Sequence, residues 1–229
     1  MTPQQAEIRY QHVIDQIRAT MQQYGRIDES VQLLAVSKTR SSDEIRKMAS
    51  LGQLSYGENY LQEALQKIKD LGDLPLEWHF IGPIQSNKTR PIAENFAWVH
   101  SVERLKIAQR LNDQRPSGLP PLNICIQVNV SDEASKSGCS LDELNELAKK
   151  IGQLPNIHLR GLMAIPQSIS SFEQQCIPHA QLRKAMEKLN REGFNLDTLS
   201  MGMSGDLDAA IAEGATMVRI GTALFGPRD

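Results

Sequence analysis

Cysteine is scarce in this chain of 229 residues: Cys125, Cys139 and Cys176 stand far apart. There is no C-x-x-C pair and no Cys/His cluster at zinc spacing, which excludes a disulfide framework and a thiolate zinc site and suits a reducing compartment. An excess of one charge is also missing. Lys plus Arg number 25 and Asp plus Glu 27, a net charge of -2, so the whole-chain basic field of a nucleic-acid binder is absent. No run approaches the ~20 apolar residues of a membrane span, and no apolar block of about 7 to 15 residues follows Met1 as a secretory signal would require. A cytoplasmic protein with neither nucleic-acid nor membrane partners is expected.

What is present is an alternation of short apolar runs and amphipathic stretches. Residues 4–24 place Tyr10, Val13, Ile14, Ile17, Met21 and Tyr24 on one helical face, ended by Gly25. The run from Leu33 to Thr39 then reads as a buried strand that delivers Lys38 at its C-terminal end. Ser41 and Glu44 have capping-box spacing for a helix reaching Leu51, and Ser140 and Glu143 repeat it for a helix reaching Gly152. Further strands are read at 54–57, 78–81, 97–100, 122–130, 158–164, 198–200 and 216–220. Further helices are read at 60–71, 86–95, 103–114 (with Ser101 as its cap), 172–191 and 206–213, and a last turn reaches Phe225. Eight strand–helix units behind one extra N-terminal helix predict an α/β protein closed as a (β/α)8 TIM barrel. An open doubly wound sheet is the alternative, but its G-x-G-x-x-G fingerprint is missing after the first strand. The Pro/Gly-rich stretch 116–121 is too short for a linker, so one domain over 1–229 is expected.

The C-terminal ends of barrel strands form the functional face. That rule sends Lys38, Asn59, His79, His100, Ser101, Lys136, Met163, Ser200, Ser204, Arg219, Gly221 and Thr222 to the mouth. Beside low-dielectric walls, Lys38 would have a lowered pKa and a free amine for capturing a carbonyl; it would equally serve as a solvated lysine closing a strand. Ser200 to Ser204 and Gly221-Thr222 fall where barrels bind phosphate, although each alone is an ordinary Gly/Ser turn. Arg219 either points inward, where it must meet an acceptor, or snorkels outward between helices; periodicity does not separate the two. His79 reads as a satisfied core histidine, Lys88 and Arg90 as a solvated helix face, and Met163, Met201 and Met203 as core filler. Lys136 reads as solvated or as a second amine at the mouth.

Several stretches together resemble a known family. They are Ala35-Val36-Ser37-Lys38-Thr39, Tyr56-Gly57-Glu58-Asn59-Tyr60, Trp78 to Lys88, Ser135-Lys136-Ser137-Gly138, Gly161 to Pro166, Ser200 to Ser204, and Met217 to Gly226. In this order, over nearly the whole length, they resemble the pyridoxal phosphate homeostasis proteins (the YggS/PROSC type), relatives of the barrel domain of bacterial alanine racemase. The resemblance implies a fold-type III barrel that holds pyridoxal 5'-phosphate as an internal aldimine on Lys38. It implies that Ser200, Ser204, Gly221 and Thr222 hold the phosphate, that Arg219 faces the pyridine nitrogen and that Asn59 frames the ring. Tyr56 stands where phenylalanine is the family's residue, a mild departure. The expected function is vitamin B6 homeostasis without strong catalysis, with transient transfer to PLP-dependent apo-enzymes. A low-activity amino-acid racemase is the alternative. The opposite-face base that a racemase needs is not found unless Lys136 or His79 supplies it. The chain reaches Asp229 about where the barrel would close, so the racemase mode of dimerisation is not expected and a monomer is.

Overall fold

The computed structural model describes residues 1–26, 30–131, 137–167 and 169–227. Helix α1 (Pro3–Gln23) opens on a Thr2/Gln5 capping box with a proline in its first turn. Strands β1 (Gln32–Val36), β2 (Ser55–Glu58), β3 (Glu77–Phe80), β4 (Trp98–Val102), β5 (Leu122–Gln127), β6 (Ile157–Met163), β7 (Thr198–Ser200) and β8 (Met217–Ile220) pair in parallel and in chain order. β8 pairs back onto β1, with Leu34 opposite Arg219 and Ala35 opposite Ile220, so the sheet closes as a barrel. Helices α2 (Ser42–Ser50), α3 (Leu61–Asp70), α4 (Thr89–Asn95), α5 (Leu105–Gln114), α6 (Leu141–Ile151), α7 (Phe172–Arg191), α8 (Leu207–Ala212) and α9 (Thr222–Phe225) follow the strands in turn. The capping boxes at Ser41/Glu44 and Ser140/Glu143 both form. α1 packs on α8, α9 and α2, over the seam where β8 meets β1.

Strand alternation divides the burial into two layers. Leu33 and Ala35 join the large core shared with the helices, among Val13, Ile17, Met21 and Ile45. Leu34, between them in sequence, packs inside the barrel with Ile81 and Met217. A second interior group is Trp98, Cys125 and Met163. Met201 is likewise buried, whereas Met203 is exposed and fills no core.

Four features differ from the sequence reading by more than a residue or two at an element's end. β1 closes at Val36, so Lys38 leaves from the turn beyond the strand. β5 closes at Gln127 rather than Val130, leaving only a bridge between Val128 and Cys139. The stretch 86–95 splits into a 3-10 turn, Ser86–Lys88, and α4, because Pro91 offers no N–H and fits a helix only in its first turn. Ser101 does not cap α5: it lies within β4, and its hydroxyl donates to Gly82 O at 2.5 Å. Arg104 occupies the cap position without a side-chain bond.

Candidate functional site

A polar relay runs through the barrel interior beneath the mouth. Glu77 Oε1 lies 2.8 Å from His79 Nε2, and His79 Nδ1 lies 2.9 Å from His100 Nε2. His100 Nδ1 lies 2.8 Å from Ser200 Oγ, and Arg219 Nη1 donates to that same oxygen at 2.9 Å. Arg219 also donates to Ser200 O at 2.5 Å and to Ala164 O at 2.8 Å. The arginine thus points inward and meets backbone and hydroxyl acceptors. Burial pulls its pKa down to about 10, which still leaves a cation at neutral pH.

Charge settles the direction of the relay. The bond from His79 holds the Glu77 carboxyl below its ordinary value. Burial lowers both histidines, His100 furthest, because His79 and Arg219 also oppose a second positive charge there. Each neutral imidazole has one N–H. With Glu77 ionised, His79 Nε2–H must donate to it, so His100 Nε2–H donates to His79 Nδ1 and the Ser200 hydroxyl donates to His100 Nδ1. Both nitrogens of His79 are therefore engaged, and it is no free base.

The pair also sets a pH response. Unfolded histidines take up protons below about pH 6.5, while these two resist, so stability falls as pH drops through that value. The loss is expected to reach about 1.4 kcal/mol per pH unit per histidine. Thermal unfolding followed from about pH 7 to about pH 5 should show a falling Tm, and His100→Gln should flatten the slope. An unchanged slope in the variant would contradict the assignment.

The mouth lies above this relay. Lys38 is half-buried in the turn after β1, and Gly221 lies against the end of the same strand. A Cβ on Gly221 would come within 3.3 Å of Val36 O, so the β8 turn lies flush on β1. Thr222 begins α9 and is exposed, as is Ser204 in the turn before α8. That turn is pinned by Asp206, which accepts from Met203 N at 2.6 Å and from His179 Nε2 at 3.0 Å. Burial opposes the Asp206 charge, but these bonds and the charges of His179 and Arg219 outweigh it and keep the carboxyl below its ordinary value. Gly202 has φ +91°, and a Cβ there would sit 2.6 Å from Ala210 Cβ; its carbonyl accepts from Arg219 N at 2.9 Å.

On the other side, Asn59 follows β2 with its Oδ1 buried and without a partner among the described residues. Gly82 packs so closely beneath that a Cβ would lie 2.2 Å from Asn59 O, and Ser101 fixes the Gly82 carbonyl. Lys38, Asn59, Ser204, Gly221 and Thr222 thus come from the ends of β7, β8, β1 and β2, which are consecutive around the barrel. Ser200 and Arg219 stand apart from them, buried in the interior. Lys136 lies outside the described residues. Lys88 is half-buried and Arg90 exposed, paired with Glu94. Among the described residues no His/Cys/Asp/Glu group could hold a metal, and no helix is long and apolar enough to cross a membrane.

Sequence reasoning missed Glu77 and a cluster of buried Glu58 and Lys67 with half-buried Glu63. Only the i,i+4 spacing of Glu63 and Lys67 could have signalled the cluster. The extra hydroxyl of Tyr56 is accommodated: it donates toward Ile45 O and Gln53 O at 3.1 and 3.0 Å.

A closed eight-stranded barrel with a lysine after its first strand and an arginine inside its last defines a class. Residues 9–229 match the family described as alanine racemase, N-terminal domain. Within it, the chain belongs to the pyridoxal phosphate homeostasis protein family. It is 62% identical over 217 residues to the Pyridoxal phosphate homeostasis protein of Pseudomonas aeruginosa, covering 95% of this chain and 93% of that one. The protein of that name from Escherichia coli K12 is 53% identical over 220 residues, with 95% and 94% covered. Among solved structures, PipY of Synechococcus elongatus with PLP bound is similar at TM-score 0.81 and 36% identity, covering 92% of this chain and 99% of that one.

Proposed function

We propose that this chain binds pyridoxal 5'-phosphate at the barrel mouth, with Lys38 as its covalent anchor, and serves vitamin B6 homeostasis without strong catalysis of its own. The observation that carries this reading is the gathering of Lys38, Asn59, Ser204, Gly221 and Thr222 onto four consecutive strand ends, above a buried Arg219. Those residues fit the cofactor. Three of the five Arg219 N–H donors go to Ser200 and Ala164, which leaves donors for a ring nitrogen. The orphaned Asn59 Oδ1 awaits a polar partner. Ser204, Thr222 and the Gly221 backbone would hold the phosphate, with Ser200 backing Arg219 from below. When bound, the cofactor would supply an electrophilic aldehyde that the Lys38 amine would hold through a C=N bond with loss of water, reversibly by hydrolysis.

The chain's own residues favour holding over turnover. Arg219, facing the ring nitrogen as a cation, would disfavour protonation there and so would weaken the ring as an electron sink. A cytoplasmic monomer that passes its cargo to apo-enzymes completes the reading. A low-activity amino-acid racemase is the second reading, favoured by membership of the alanine racemase N-terminal family. The engaged state of His79 removes one base it would need.

Visible absorbance with pyridoxal 5'-phosphate, for wild type and Lys38→Ala, tests the anchor. Wild type should show a band that borohydride fixes to the protein, and Lys38→Ala should lose it. A wild type with no such band would end the proposal. L-alanine in deuterated water separates the two readings, because rapid Cα exchange would establish the racemase.

A further inference from the structure

The residues on either side of Lys38 are held by one lysine and two carboxyl groups from β2 and α3. Ser37 Oγ donates to Glu58 Oε1 at 2.6 Å, and Ser37 O accepts from Lys67 Nζ at 2.7 Å. Thr39 N donates to Glu63 Oε1 at 2.6 Å. Lys67 Nζ closes the set, bonding Glu58 Oε1 at 2.8 Å and Glu63 Oε1. Lys67 is 4% exposed and Glu58 fully buried. One ammonium therefore ties together two carboxylates that each grip one neighbour of Lys38.

Thr39 shows what this grip does. Its φ is +64°, the only positive φ at a non-glycine residue among the described residues. A β-branched residue in the left-handed region is strained, and such strain persists only where the surroundings over-determine it. The neighbouring bonds complete the constraint: Ser37 N donates to Gly57 O at 3.0 Å and Arg40 N to Ser37 O at 3.0 Å. A glycine at this position would take the same φ without strain.

We propose that Lys67, Glu58 and Glu63 form a positioning clamp that holds the 37–39 turn in its left-handed kink and so fixes the backbone from which Lys38 reaches the cofactor. The inference rests on Lys38 being the covalent anchor. α3, which contributes Glu63 and Lys67, is thereby a working part of the site although none of its side chains is assigned to the ligand. Both carboxylates face the turn from one side, β2 and α3, so loss of either grip lets Thr39 relax toward negative φ.

The test follows capture of pyridoxal 5'-phosphate by the visible band and by a borohydride-fixed mass on the Lys38 peptide. Glu63→Ala should slow capture at Lys38 roughly tenfold while the protein stays folded by circular dichroism, because the strained turn is released. Glu63→Gln keeps an oxygen for Thr39 N and should recover most of the rate. Adding Thr39→Gly to Glu63→Ala should also recover it, because the kink then needs no clamp. Lys67→Met removes the tie itself and, where it folds, should slow capture at least as much. Wild-type capture rates in a folded Glu63→Ala, or a double variant no faster than Glu63→Ala, would overturn the clamp. A wild type that captures nothing would instead overturn the assignment of Lys38.

Discussion

Gly161→Ala is expected to leave no stably folded protein. Gly161 stands in β6 directly opposite Thr198 of β7. A Cβ built on it would lie 1.7 Å from Thr198 O and 2.6 Å from Thr198 C. These are backbone atoms of a paired strand, so no rotamer change relieves the overlap; β6 and β7 must part. Overpacking in a core usually costs about 1–3 kcal/mol, because side chains move aside. Here the obstacle is the sheet itself, and a loss beyond about 4 kcal/mol is expected, enough to unfold a marginal domain. Ser200, two residues along β7, would move with the strand and carry the Arg219 contacts away. Gly118→Ala is the control: a Cβ there meets nothing within 4 Å, and a change within about 0.5 kcal/mol is expected. Urea unfolding of the three proteins decides. A folded Gly161→Ala with a midpoint near wild type would show that the sheet gives at this point.

The legibility of this chain followed the range of each signal. Local signals transferred well. Ser41/Glu44 and Ser140/Glu143 are three residues apart, and both boxes form. The eight apolar runs alternate with helical stripes over short windows, and that alternation implies the parallel barrel. Ends of elements were less legible. Nothing in Ala35-Val36-Ser37-Lys38-Thr39 marks where pairing stops, because the turn at Thr39 uses a β-branched residue that propensity assigns to a strand. Ser101 looked like a cap because serine before a helical stripe is the usual signal, yet its hydroxyl serves a carbonyl 19 positions earlier. The inward course of Arg219 was undecidable for a different reason: all four residues of β8 are buried, so the two faces carry no contrast. Contacts between distant positions were invisible. His100 and Ser200 meet across 100 positions, and Lys67 reaches Ser37 across 30. Only the closed barrel brings them together.

Arg219→Met is expected to separate binding from folding. The arginine carries opposing contributions to stability. Burial of its charge, seen in the pKa of about 10, costs roughly 3 kcal/mol at about 1.36 kcal/mol per pKa unit. Against this stand three hydrogen bonds from a charged donor, to Ser200 O, Ser200 Oγ and Ala164 O, each contributing about 1.5–3 kcal/mol. Methionine removes the buried charge and the bonds together while keeping much of the volume. The relieved burial offsets only part of the lost bonds, so a net loss of about 1.5 kcal/mol or more is expected; the variant should still fold, with a Tm lower by several degrees or more. Binding has no such offset. The donors that Arg219 keeps for the ligand vanish, and a lost charged hydrogen bond weakens affinity for pyridoxal 5'-phosphate by about tenfold to a hundredfold. Lys38 and the Ser204 to Thr222 rim are untouched, so covalent capture should survive at high cofactor concentration. Titration of the visible band, beside a melting curve, gives both quantities from one preparation. Unchanged affinity in a folded variant would place the ring away from Arg219. Lost affinity with an intact melt would make the arginine a ligand-facing group, held in its costly burial by the carbonyls around it.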